Sequence, residues 1–142
     1  LRSNMLTPLL WRKLLAKRQP IEKTRGGGRY SEAAFWSFIR SGIRAKHSRW
    51  APRYAALAAA KRPYKGDNAR QKFEYKCAVC KKYFLQKEVE CDHIVPCGSL
   101  KCYDDLPGFV ERMFVEVEGY RVACKSCHLK ITKKEREKNA SK

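Results

Sequence analysis

Apolar positions recur at helical spacing in the first part of the chain and alternate in the second. Leu6, Leu9, Leu10 and Leu14 form a stripe that predicts a short helix over residues 1–20, ringed by Trp11, Arg12, Lys13, Lys17 and Arg18 and stopped by Pro20. Residues 25–30, Arg-Gly-Gly-Gly-Arg-Tyr, read as a flexible basic linker. Ser31 then suits the cap of a helix reaching about residue 48. Phe35, Ile39, Ile43 and Trp50 mark its core-facing stripe, with Trp36 and Phe38 flanking. Arg40, Arg44 and Ser48 fall on another face, in contact with phosphate or simply solvated, and His47 reads as a surface or packing histidine. Pro52 opens an Ala-rich helix from about 53 to 62. Residues 61–72 read as an irregular basic connection, where Tyr64 either stacks on a base or belongs to a solvated linker.

From residue 73 the period changes. Phe73–Lys76 alternates like a strand, as does Lys87–Ile94, and the two are expected to pair as a hairpin. Pro96, Gly98 and Ser99 mark a loop. Asp104 or Asp105 is placed to cap a helix carrying Leu106, Phe109, Val110, Met113 and Phe114, with Pro107 in its first turn. Val115 to Ala123 reads as extended, interrupted at Glu118-Gly119. A short helix follows from Cys127 to about Ile131, restarted or continued at the capping-box pattern Thr132 to Glu135, and the tail from Asn139 to Lys142 is expected to fray.

Charge changes the picture. Residues 1–76 carry 19 basic and 4 acidic side chains, residues 77–142 carry 13 and 10, and the whole chain of 142 residues is at +18. A strongly basic half on a near-balanced half is the pattern of a polyanion-binding arm on a working domain. Nucleic acid is the leading partner, since Lys and Arg on phosphates release condensed counterions. An anionic membrane surface is the rival, and the first helix fits it. No run approaches 18 apolar residues, so no membrane-spanning helix is expected, and no secretory signal is expected unless one was removed before Leu1.

The chain has seven cysteines. Cys77-x-x-Cys80 and Cys124-x-x-Cys127 are matched pairs with 43 residues between them. Two such pairs suit a closed, tetrahedral structural zinc site; the alternatives are buried thiols or one redox pair. An odd count without a secretory signal argues against a disulfide framework and for a reducing, intracellular compartment. Cys91 suits a buried strand position, and Cys97 and Cys102 read as loop thiols.

Asp92-His93 ends a predicted strand, and His128 follows directly on Cys127. Drawn together by the metal clip, they offer one carboxylate and two imidazoles. A carboxylate with an imidazole suits a catalytic divalent ion, and the other imidazole suits proton abstraction near neutral pH. Neighbours on a strand face opposite sides, which argues for separate roles for Asp92 and His93. Taken alone, His128 is equally a spare zinc ligand.

The ordered set Cys77-x-x-Cys80, Asp92-His93-Ile94-Val95-Pro96, Cys124-Lys-Ser-Cys127-His128 and Thr132, over about residues 73–138, resembles the HNH endonucleases of the zinc-containing ββα-metal type, above all small bacteriophage-encoded forms. The resemblance implies an α+β fold in which a small ββα-metal nuclease domain (73–138) is clipped by a four-cysteine zinc site. A basic, mainly helical DNA-binding arm (1–72) precedes it, and a tail (139–142) follows. It implies metal-dependent hydrolysis of DNA phosphodiester bonds, leaving 5′-phosphate and 3′-hydroxyl ends. His93 matches the general base, Asp92 and His128 match the ligands of Mg²⁺ or Mn²⁺, and Cys77, Cys80, Cys124 and Cys127 match the Zn²⁺ ligands. Arg40, Arg44, Lys61, Arg62, Lys65, Arg70 and Lys72 are the candidate contacts to double-stranded DNA.

The family's central Asn, which helps orient the loop bearing the base, is missing between His93 and His128; Glu118 and Gly119 stand near its place, with Glu118 either approaching the ion or serving as a turn residue. One cutting centre nicks one strand, so double-strand cleavage would call for a homodimer or two events. Homing, restriction-like and packaging roles all fit, in the cytoplasm of a bacterial host if the chain is phage-encoded. The rival readings are a non-catalytic zinc-stabilised nucleic-acid-binding module and a basic ribosome- or capsid-associated protein.

Overall fold

The computed structural model describes residues 19–142; the stripe of Leu6, Leu9, Leu10 and Leu14 and its helix lie outside them. Two compact units are distinguished, with the boundary after Phe35. In the first, Gly26, Gly27 and Gly28 take φ of 59°, 66° and 81°, a backbone that glycine adopts without steric cost. They close a tight turn in which the Arg25 and Tyr30 amides each donate to the other's carbonyl, at 3.0 and 3.1 Å. The expected flexible linker is therefore a closed loop, because three left-handed residues in a row reverse the chain. Arg25 also pairs with Glu32 at 2.9 Å and lies over the Phe35 ring. Ser31 Oγ accepts the Ala34 amide at 3.2 Å, the cap expected for helix α1, Glu32–His47.

In the second unit, Trp36 is the buried residue of α1, and Ile39, Ile43 and His47 continue its partly buried face. Helix α2, Ala51–Ala60, follows with Pro52 in its first turn. Two small antiparallel sheets complete the frame. One has the order β1-β2-β3: Lys61–Pro63, Phe73–Lys76 and Tyr83–Phe84. The other pairs β4, Val89–His93, with β5, Tyr120–Cys124. Helix α3 is Leu106–Met113, and α4 runs unbroken over Lys125–Ala140.

Several expectations change. The Lys61–Pro63 stretch of the supposed connection is a strand, with Lys61, Arg62 and Pro63 facing Tyr75, Glu74 and Phe73. The hairpin over the first cysteine pair joins β2 to β3, while β4 leaves through a 3-10 turn at Gln86–Glu88 and pairs with β5. Thr132 caps nothing: its hydroxyl donates back to the His128 carbonyl at 3.0 Å, inside α4. The Asp105 carboxylate accepts the Lys101 amide at 2.9 Å instead of capping α3, and that bond holds its pKa low.

Leu57 and Ala60 of α2 pack with Phe84 against the buried Tyr75, Val89 and Val122. The expected boundary at 72/73 thus falls inside one compact unit, because β1 and α2 are built into the sheets. The class is α+β, with four helices among the described residues. No described helix is long and apolar enough to cross a membrane.

Candidate functional site

Cys77, Cys80, Cys124 and Cys127 bring their sulfurs within 4.8 Å of one another. Cys77 and Cys80 sit in the turn after β2, where the Cys77 amide donates to the Lys82 carbonyl (2.8 Å) and the Lys81 amide to the Cys77 carbonyl (3.0 Å). Lys81 closes that turn at φ 63°. The Ala78 amide donates to Val122 O at 2.7 Å, stitching the turn to β5. Cys124 ends β5 and Cys127 lies in the first turn of α4. Burial disfavours the Cys77 thiolate, yet the amides around it, the Cys124 N–H foremost at 3.3 Å, pull its pKa below the ordinary thiol range. The neighbouring sulfurs, Cys124 first, and then burial drive Cys127 upward. Four thiols this close cannot all ionise without a cation between them, so the set is able to hold a metal such as zinc. The other cysteines stand apart: Cys91 Sγ is 3.7 Å from Arg53 O and Cys97 Sγ 3.4 Å from Arg112 O, both held protonated by burial, and Cys102 is exposed.

All three histidines of the chain line one cleft of about 640 Å³, with Glu90, Asp92, Arg44 and Arg53. Strand alternation sorts them. Glu90 and Asp92 share one face of β4, and His93 turns to the other. Asp92 sits opposite Arg121 in the ladder and pairs with it at 3.1 Å. His128, one turn into α4, places Nε2 3.2 Å from Glu90 Oε2 and Nδ1 3.6 Å from Asp92 Oδ2. That Nδ1 is buried and has no hydrogen-bond partner. An orphaned nitrogen facing a carboxylate oxygen across such a gap fits a divalent cation, whose ligands at about 2.1 Å stand roughly 3–4 Å apart.

His93 Nε2 lies 2.8 Å from the Met113 carbonyl. A carbonyl only accepts, so Nε2 carries the proton and Nδ1 of the neutral ring keeps its lone pair. The ring packs against both Tyr120 and His47, each with a centroid separation of 4.9 Å. His47 Nε2 is 2.7 Å from Tyr120 Oη. Burial, and then the charges of His93, Arg53 and Arg44, lower the His47 pKa to about 4. The role read for His47 as a surface or packing residue omits this cleft. The signal was present: His47 follows Ile43 at i+4 on the inward face of α1. Glu90 was likewise legible as the i−2 neighbour of Asp92.

Of the basic candidates, Arg44 lines the cleft. Arg62 is spent within the fold, paired with the buried Glu74 at 2.7 Å and stacked 3.1 Å over Tyr83. Lys61 lies over the Phe73 ring. Arg40 is half-buried, and Lys65, Arg70 and Lys72 are exposed. Glu118 is an exposed residue of the 3-10 turn Val117–Gly119 and does not line the cleft. No protein-family model, curated protein or solved structure matches the chain, so its function is argued from this geometry.

Proposed function

We propose that the chain is a metal-dependent endonuclease of double-stranded DNA, of the zinc-containing HNH type. The observation that carries this reading is His93: its Nε2 proton is committed to Met113 O, which leaves Nδ1 as the ring's acceptor, and the residue lines the same cleft as Asp92 and His128. A neutral imidazole so held takes a proton from the attacking water. Asp92 and His128 are the side chains that would hold Mg²⁺ or Mn²⁺, which when bound polarises the scissile phosphate and stabilises the leaving 3′ oxygen. Arg44 and Arg53 bring positive charge to the cleft and favour a phosphate there. A structural Zn²⁺ on the four paired cysteines fixes the start of α4 and with it His128. The succession β4, β5, α4 supports a ββα-metal arrangement. With no Asn between His93 and His128, the Met113 carbonyl is the group that steadies the base.

The test is relaxation of supercoiled plasmid by the full chain in Mg²⁺, Mn²⁺ or EDTA, beside His93→Ala. Metal-dependent nicking by the wild type alone supports the reading. DNA bound but left intact under every metal overturns it. That outcome favours a non-catalytic zinc-stabilised nucleic-acid-binding module. One observation speaks for that second reading: Asp92 pairs with Arg121, and His128 Nε2 lies 3.2 Å from Glu90 Oε2, contacts that need no cation between them.

A further inference from the structure

Resting on His93 as the base, we infer that His47 is a positioning residue: through Tyr120 it holds the Met113 carbonyl, and that carbonyl keeps the His93 imidazole in the tautomer with Nδ1 open.

Met113 is the last residue of α3, where carbonyls lose their helical partners. Its oxygen is free to swing with the turn that follows, unless something else holds it. Two protons converge on it: His93 Nε2–H at 2.8 Å and Tyr120 Oη–H at 3.3 Å. These occupy both lone pairs of the oxygen. Burial pushes the Tyr120 hydroxyl up to about 12, so the phenol keeps its proton. His47 Nε2 fastens Tyr120 Oη in turn, at 2.7 Å.

The same corner of the chain grips the turn twice more. Trp50 Nε1 donates to Val115 O at 2.7 Å, and the Trp50 ring meets Phe114 edge-on with centroids 5.4 Å apart. The junction of α1 and α2 therefore clamps residues 114–120, and His47 is the part of the clamp aimed at the base. Burial foremost, and then the guanidinium charges of Arg53 and Arg44, keep His47 an uncharged imidazole. Its ring also lies 32° from the plane of His93, which limits reorientation of the latter. No motif residue supplies this function; it comes from the basic half of the chain.

The three histidines make the test direct. Ring nitrogen shifts in the nuclear magnetic resonance spectrum of the full chain distinguish protonated from bare nitrogens. The wild type should show a protonated Nε2 and a bare Nδ1 on His93. In His47→Ala and Tyr120→Phe both signals should move toward averaged values, as the ring samples both tautomers. His47→Gln, whose amide reaches the place of Nε2 and both donates and accepts, should restore the wild-type pattern. In plasmid nicking, His47→Ala and Tyr120→Phe should lower kcat about ten- to a hundredfold at unchanged KM, as loss of an orienting partner does, with recovery in His47→Gln. Tyr120→Phe retains the packed ring, so the test stands even where His47→Ala does not fold. Wild-type His93 signals in a folded Tyr120→Phe protein would overturn the inference. If the wild type nicks no DNA, the nuclease reading falls, and the ring nitrogens still decide whether His47 holds His93.

Discussion

Nδ1 of His128 and Oδ2 of Asp92 stand 3.6 Å apart, and the nitrogen is buried without a hydrogen-bond partner. An unsatisfied buried polar atom costs about 1–3 kcal/mol. A cation seated between the two removes that cost. Manganese should therefore raise the melting temperature of the wild type, in line with about 2.7 kcal/mol at a hundredfold excess over Kd. Asp92→Asn and His128→Ala should lose the shift. Thermal melts with and without Mn²⁺ check this; an equal shift in all three proteins would place the ion elsewhere.

Acid should weaken the fold through His47. The ring titrates near 6.5 in an unfolded chain and at about 4 in the folded one. Between those values the unfolded state binds more protons, so stability falls as pH drops from 6.5 to 4 and is regained as pH rises. The groups facing His47 are Arg44 on its own helix, Arg53 from α2, His93 from β4 and Tyr120 from β5. The melting temperature of the wild type should drop more steeply across this window than that of His47→Gln.

Metal removal should be the harshest treatment. The paired sulfurs tie the β2–β3 turn to the junction of β5 and α4. Structural zinc contributes about 10–16 kcal/mol in small zinc peptides. Elemental analysis should find a single zinc per chain, and a strong chelator should abolish cooperative unfolding followed by circular dichroism. An intact melt after complete zinc loss would mean that thiol packing alone holds the junction.

The basic residues should separate into two groups. Neutralising the exposed Lys65, Arg70 or Lys72 should leave the melting temperature in place. Where a residue meets phosphate, the salt slope of DNA affinity should flatten by about 0.9. Arg62→Ala should instead cost about 1–3 kcal/mol of stability, because it strands the buried Glu74 and uncovers the Tyr83 face. Chemical denaturation beside salt-dependent DNA binding distinguishes the two.

What was legible in the chain was local. Two Cys-x-x-Cys pairs announce a cluster because the ligands of each half sit within one turn. Ser31 and Pro52 announce helix starts because capping chemistry acts over a few residues. Pairing partners were not legible. Lys61-Arg62-Pro63 has no alternation to advertise a strand, and only Glu74 and Tyr83 on other strands give Arg62 its reason to lie flat. Val89–His93 alternates convincingly, but alternation does not say which strand it will meet. His47 escaped because its helical period marks it as inward-facing while its role depends on Tyr120, 73 positions away.

The pairing of β1 with β2 has a practical corollary. A fragment begun at residue 73 would contain every recognisable motif and would look like a natural unit to express. It would also lose Lys61–Pro63, which cover one side of β2 in an antiparallel ladder. The exposed row of amides and carbonyls along Phe73–Lys76 would then be an open template for another chain. Such a fragment should precipitate or associate, whereas one that starts ahead of α1 should stay dispersed.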